Sequence, residues 1–346
     1  MTLSTRATLA LSPTGSFDEL NARVRDAGLL DPRRDYYLLK VTVNLLLLAG
    51  CYAAVVLVGN SWWQLPVAVA MAGAFVQTGF VGHDVGHKQI TKAKRLSEVL
   101  GMLHMNLGIG AAYGWWINHH NRHHSSPNNL DLDPDTVRRP VIFDEDELAT
   151  KYRTPFRRFV IRFQSVMFFV LLGHEAYRIR SAGVLAARAG VLRAPALELT
   201  LVGLHFAGYL SAVLLSMSPV KAVAFILLHQ VLFGLYLGAV FAPNHKGMAV
   251  YRSETDLDWL HRQVLTARNI RSSRFTDFVY GGLNYQIEHH LFPSMPRVNL
   301  RRVRPIVKEY CRQHGLPYEE VSAFASYAAV ARFLGRVSRQ ARGVAA

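Results

Sequence analysis

Four uncharged apolar stretches constrain this chain more than anything else in it: Val41–Gly59, Ser61–Gly82, Leu199–Val220 and Ala222–Asn244. A helix rises about 1.5 Å per residue, so about 20 residues cross the roughly 30 Å hydrocarbon core of a bilayer. In lipid each backbone polar group must be satisfied within its own segment, so the four stretches are expected as transmembrane helices. Asn60–Gln64 alone links the first pair and Ser216–Lys221 the second, which predicts two tight helical hairpins. Trp62 and Trp63 stand where an interfacial aromatic belt places them.

Charge sets the expected orientation. Of 39 Lys and Arg, Lys221 is the only one in the two short links; the other 38 lie before the first span, between the second and third, or after the fourth. With four spans those regions share one face, and the positive-inside rule makes it cytoplasmic, both termini included. The chain is 51% hydrophobic, 18% charged and has 2 Cys, which excludes a disordered chain and a disulfide-stapled secreted domain. Val99–Ile117 is also uncharged, but it contains four Gly with His104 and Asn106, and is expected to be re-entrant or interfacial. Phe163–Gly173 is too short to span and, flanked by Arg157, Arg158, Arg162, Arg178 and Arg180, is expected as an interfacial helix. No cleavable signal peptide and no internal repeat is evident. The expected organisation is a cytoplasmic segment over 1–37, a membrane-embedded domain over 38–300, and a basic cytoplasmic segment over 301–346. Thr2–Ser16 and Gly335–Ala346 are expected to be disordered, and Arg301–Arg342, with helical periodicity, to form part of a cytoplasmic cap.

The 15 histidines are clustered. His83 and His87 are an i, i+4 pair at the end of the second span. His120, His123 and His124 form an i, i+3, i+4 triplet, with His119 beside them. Gln286, His289 and His290 repeat the triplet spacing beyond the fourth span. On a helix such residues share one face, so each set can aim its side chains at one point. Imidazole suits Fe, Zn, Cu and Ni, and seven imidazoles exceed the four ligands of one tetrahedral zinc site, so two metal ions is the natural count. Asp84 and Glu288 lie inside the clusters, where they can orient ligand rings. Asp131, Asp133 and Asp135 follow the second cluster, as ligand-orienting or helix-capping residues. His104, His174, His205 and His229 read as structural histidines, and His261 and His314 as surface ones.

In their order around two hairpins, His83-Asp84-Val85-Gly86-His87, His120-Asn121-Arg122-His123-His124 and Gln286-Ile287-Glu288-His289-His290-Leu291-Phe292-Pro293 resemble the three histidine boxes of the integral-membrane fatty acid desaturases. The Gln-led third box, Pro243-Asn244-His245-Lys246-Gly247 and the stretch Gln263–Ile270 resemble the acyl-lipid and front-end branch. The resemblance covers residues 35–300. It implies an all-α integral membrane fold, with a helical cytoplasmic cap carrying a di-iron site that uses O₂ and two electrons to desaturate a fatty acyl chain. The implied iron ligands are His83, His87, His120, His123, His124, His289 and His290, with His245 as the additional ligand after the fourth span. Gln286, where other branches carry His, is a further candidate. Phe241 stands where some members place an Asn that holds a water, so that role is not transferred. A His-Pro-Gly-Gly haem motif of a fused cytochrome b5 does not occur in the sequence, so electrons are expected from a separate ferredoxin or cytochrome b5.

The chemistry agrees with that implication. An unactivated methylene has no acidic proton, so a general base cannot begin the reaction, and a redox-inert zinc ion cannot supply the oxidant. The basic face would steer an acidic electron carrier and bind anionic lipid. The expected substrate is an acyl lipid or acyl-CoA, the expected setting is membrane lipid, and no nucleic-acid partner is expected. Two other readings stay open on the sequence: a hydroxylase or carotenoid oxygenase with the same kind of centre, and a zinc-binding membrane protein or transporter.

Overall fold

A computed structural model describes residues 15–137, 140–144, 147 and 154–344. Residues 2–14 of the N-terminal tail, and the last two residues, lie outside the described residues. In chain order the first helices are α1 (Phe17–Asp26), α2 (Arg34–Val58), α3 (Gln64–Gly86) and α4 (Lys94–Gly101). A π-helix (Met102–Gly108) follows, then α5 (Tyr113–Ser125), α6 (Pro134–Val137), α7 (Pro155–Arg162), α8 (Gln164–Leu172) and α9 (Glu175–Arg188). Next come α10 (Pro195–Ser216), α11 (Pro219–His245), α12 (Trp259–Leu265), β1 (Asn269–Ile270), α13 (Arg274–Val279) and α14 (Gln286–Leu291). The chain closes with α15 (Arg297–Gln313), β2 (Glu320–Val321) and α16 (Ala323–Val344). Four of these, α2, α3, α10 and α11, are long and apolar enough to cross a membrane. Their ends pass beyond the uncharged runs, so that α3 carries His83 and α11 ends on His245.

The chain divides into two compact units. One comprises Pro32–Asn118 and Leu171–Gly238, the other Met1–Asp31, His119–Val170 and Ala239–Ala346.

In the first unit, several polar side chains on apolar helices bond one another or a backbone carbonyl, since an unpaired polar group in so apolar a setting costs about 1–3 kcal/mol. Asn44 on α2 donates to Thr78 Oγ1 on α3 at 3.1 Å, Lys40 donates to Gln77 Oε1 at 2.9 Å, and Gln64 Nε2 donates to the Val55 carbonyl at 2.7 Å. The links after α2 and α10 meet: Ser218 N donates to Asn60 Oδ1 at 2.9 Å, and Lys221 Nζ to the Asn60 carbonyl at 2.8 Å. Phe75, fully buried, packs against His205, His229 and Phe233. The apolar run Val99–Ile117 is not one helix. It divides into α4, the π-helix and α5, with a break at Gly110, whose φ of 72° suits glycine. Its polar groups explain the break: Asn106 bonds Glu198 and the Tyr113 amide, and His205 donates to the Leu107 carbonyl at 2.9 Å.

In the second unit, α1, α12, α14 and α15 enclose a core of Leu20, Val24, Val264, Ile287, Val303 and Val307. Arg157, Arg158 and Arg162 lie within α7, an amphipathic helix that exposes Phe156 and Phe159 and buries Val160 and Ile161. The amphipathic element therefore starts eight residues earlier than Phe163, and α8 after it is apolar. The end of the chain differs from expectation too. Gly335 to Val344 is helical, because α16 is anchored along its length: Gln164 Nε2 donates to the Leu334 carbonyl at 2.9 Å and Ser338 Oγ to the Arg162 carbonyl at 3.0 Å. His261 is buried rather than on the surface, held by Asp258 at the cap of α12.

Candidate metal centre

In the second unit the sequence-distant clusters come together. His123 lies in the last turn of α5, His245 ends α11 and His290 lies on α14. One ligand atom from each lies within 4.8 Å of those of the other two, and all three are buried. Ring centroids are 4.6 Å apart for His123 and His245, 4.6 Å for His245 and His290, and 5.2 Å for His123 and His290. His120 and His124 stand with their Nε2 atoms 3.1 Å apart, and His124 packs on His289 with centroids at 4.8 Å.

The surroundings fix which nitrogen each ring presents. His123 Nδ1 faces the Asp133 carboxylate at 3.1 Å, His245 Nδ1 faces the Thr266 carbonyl at 2.9 Å, and His290 Nδ1 faces Gln263 Oε1 at 2.8 Å. All three partners are oxygen acceptors, so each Nδ1 carries the proton and each neutral ring keeps its lone pair on Nε2. His123 Nε2 and His245 Nε2 stand 3.3 Å apart. Two such lone pairs repel unless a cation lies between them. Two nitrogens bound at about 2.0–2.1 Å to one ion, at right to tetrahedral angles, stand about 2.8–3.4 Å apart. The donor set therefore fits a metal ion.

Asp133 is wholly buried and accepts the amides of Asn128 at 2.8 Å and Asp135 at 2.9 Å. Asn128 adopts φ 57°, which Asn tolerates, and its side chain donates to the carbonyls of His245, Ala249 and Thr266. Burial disfavours a charged His123, but Asp133 outweighs it and holds the ring's pKa above its ordinary value. The same carboxylate makes the neutral ring a stronger donor to a metal. His119 turns to Asp135 at 3.1 Å, and Asp131 binds Ser253 and Arg252.

Gln286 reaches the edge of the centre, where His245 Nε2, with one lone pair, can accept from the Gln286 amide or bind a metal ion but not both. Asn244 Nδ2 donates to Gln286 Oε1 at 3.0 Å, which turns the Gln286 amide nitrogen toward His245 Nε2 at 2.9 Å. Asn244 itself is oriented by the Val240 and Leu283 carbonyls. Glu288 makes its bonds away from the rings, accepting from Tyr318 at 2.6 Å and from Asn269 at 2.7 Å. Burial pushes its carboxyl up to about 7, against those two bonds, which lower it.

His83, Asp84 and His87 belong to the first unit. The rings of His83 and His87 stack edge to face at 4.7 Å, with His83 Nδ1 at 3.4 Å from Asp84 Oδ1. Trp116 lies against both rings and against Gly86, where a Cβ would collide with the indole.

Sequence reasoning did not single out Gln263 or Thr266 individually, although the stretch Gln263–Ile270 stood out. Gln263 also donates to the His124 carbonyl at 3.1 Å, so one side chain ties the second cluster to the third.

Four apolar helices of spanning length and buried histidines converging by their ring nitrogens describe a membrane protein with a site fit for metal. A model of the fatty acid desaturase family matches residues 60–322, and the chain belongs to that family of oxidoreductases. It is 32% identical over 338 residues to an acyl-lipid (9-3)-desaturase of Physcomitrium patens, covering 94% of this chain but 63% of that protein. It is 30% identical to the Delta(6)-fatty-acid desaturase fat-3 of Caenorhabditis elegans, over 90% of this chain and 72% of that one. Identity is also 30% to a Delta(8)-fatty-acid desaturase of Borago officinalis, over 94% and 76% of the two chains. These relatives support a desaturase function on a fatty acyl substrate in a lipid setting.

Proposed function

We propose that this protein introduces a cis double bond into the fatty acyl chain of a lipid or CoA ester, using O₂ and two electrons. The observation that carries the reading is the convergence of His123, His245 and His290 with every Nδ1 held by an oxygen acceptor. We assign His83, His87, His120, His123, His124, His245, His289 and His290 as ligands of two iron ions. When bound, iron supplies the O₂-derived oxidant that an unactivated methylene requires. The chain's own part is to hold neutral imidazoles in one tautomer, to exclude water by burial, and to fix one methylene beside the centre. Asp133 keeps the proton on His123 Nδ1, Gln263 does so for His290 and the Thr266 carbonyl for His245, while Gln286 meets the His245 lone pair only when no metal ion does.

The four apolar helices are read as two hairpins, with the histidine clusters and both termini cytoplasmic. The meeting of the two short links through Asn60, Ser218 and Lys221 supports one common face for them. A separate acidic carrier, of ferredoxin or cytochrome b5 type, is the proposed electron source, drawn by the excess of basic residues. The test is expression in a host that makes only saturated and monounsaturated chains. A new olefin located by mass spectrometry, with iron in the purified protein, supports the reading. A new alcohol, or zinc without iron, refutes it.

A further inference from the structure

The second unit carries a patch that the metal centre does not use. β1 and β2 pair in parallel, Asn269 with Glu320 and Ile270 with Val321, so the chain leaves both strands at the same end. From that end come Arg271 and α13 on one side and the start of α16 on the other. Phe275, Phe278 and Phe324 stand there 77%, 60% and 84% exposed, a degree that buried-core packing cannot explain. Arg271 and Arg274 are exposed beside them, and no ion pair holds either among the described residues. The nearby carboxylates are already committed: Asp277 to Arg301, and Glu320 to Arg304 and Lys308.

The depth of this patch can be read from α11. Tyr280 and Tyr327 join α13 to α16 by their hydroxyls at 3.0 Å, and Tyr327 donates to the Ala239 carbonyl at 2.9 Å. Ser326 donates to the Pro243 carbonyl at 2.7 Å. About 20 residues from Pro219, the length that crosses a hydrocarbon core, end at Ala239. His245 lies about 9 Å further along the helix. The aromatic patch is thus anchored at the level where the apolar span emerges, on the lipid side of the histidines. Aromatic rings with arginines at that level are what a bilayer interface selects, the rings entering the acyl boundary and the guanidinium groups reaching headgroup phosphates.

We propose that α13 and the first turn of α16 form a membrane seat that binds anionic phospholipid headgroups through Arg271 and Arg274 and inserts Phe275, Phe278 and Phe324 into the interface. The seat fixes the height of the third histidine cluster over the bilayer, because β1 reaches that cluster directly: Asn269 Oδ1 accepts the Ile287 amide at 2.9 Å. An acidic electron carrier is the competing occupant, and its surface would have to lie level with the lipid.

The test uses the full chain in nanodiscs with a fluorophore at Phe278→Cys or Phe324→Cys, and lipids brominated both near the glycerol end and at the middle of their chains. Leu46→Cys on α2, where the leucine is 67% exposed, reports the membrane reading itself, and Arg312→Cys on α15 reports a site outside the patch. Quenching at both aromatic positions as strong as at Leu46, and absent at Arg312, is expected. Quenching at Leu46 alone overturns the seat while leaving the membrane reading intact; no quenching anywhere overturns both. Protection of Phe278→Cys by an added acidic ferredoxin, without lipid quenching, assigns the patch to the carrier instead. Separately, phosphatidylglycerol should raise the melting temperature of the wild type more than phosphatidylcholine does. The double variant Arg271→Ala with Arg274→Ala should lose at least about half of that difference. An undiminished difference removes the headgroup half of the proposal.

Discussion

The two units each bury histidines, and those of the first unit outside the His83 and His87 pair are used differently from the converging rings of the second. In the first unit His104 donates to the Leu100 carbonyl at 2.8 Å and His205 to the Leu107 carbonyl at 2.9 Å, while His229 meets Tyr209 and Gln230. In the second, His245 makes the same kind of bond to the Thr266 carbonyl. Burial and an oriented Nδ1 therefore do not distinguish a ligand from a structural ring. What differs is the company of the far nitrogen. Around His205 and His229 stand Phe75 and Tyr209, whereas around His245 stand His123, His290 and Gln286. A metal site is marked by several oriented rings converging.

The sharpest break of that comparison is to remove one ring from each side. His123→Ala or His290→Ala should abolish product and iron together, a loss of more than about 100-fold, whereas His229→Phe should keep its iron. Iron per mole of protein and product by gas chromatography check this; loss of iron in His229→Phe would unseat the distinction. Next in size is Asp133→Ala, which frees His123 Nδ1 and should weaken metal affinity about 10–100-fold. Asp133→Asn, which keeps an acceptor oxygen, should lose less, as read by chelator competition. Gln286→Ala should cost about fivefold in turnover with most of the iron retained, because it removes a polar neighbour of the centre worth about 1 kcal/mol rather than a ligand. Full activity in that variant would show Gln286 to be packing. His205→Ala should lower stability by about 1–3 kcal/mol, seen as a lower melting temperature in detergent, at unchanged metal stoichiometry. His314→Ala, in a ring packed on Tyr310 outside the cluster, should change neither iron nor turnover.

The sequence already carried the four long helices, since an uncharged run of that length has few other fates. It also carried the clustered histidines, because helical spacing puts His120, His123 and His124 on one face whatever the tertiary packing. The partners of those rings were not legible. Asp133 is ten residues from His123, on a loop whose path depends on Asn128 at φ 57°. Gln263 is 27 residues from His290, and Thr266 acts through its carbonyl, which carries no residue signature at all. The break in Val99–Ile117 was hinted at by Gly110 and Asn106, but its form rests on Glu198, 92 residues away. The direction of Glu288 was equally hidden, because its two side-chain donors, Asn269 and Tyr318, lie far from it along the chain, one on either side.

That last pair of bonds has a bearing on biosynthesis. Glu288 is fully buried next to His289, and its side-chain donors are the Tyr318 hydroxyl and the Asn269 amide. During translation Asn269 is made before Glu288, but Tyr318 follows by 30 residues. Until Tyr318 has cleared the ribosome, Glu288 lacks one of its two side-chain donors. The apolar helices can enter the membrane one after another as they emerge. The third cluster reaches its final form only after Tyr318 has been made, later than the helices that precede it.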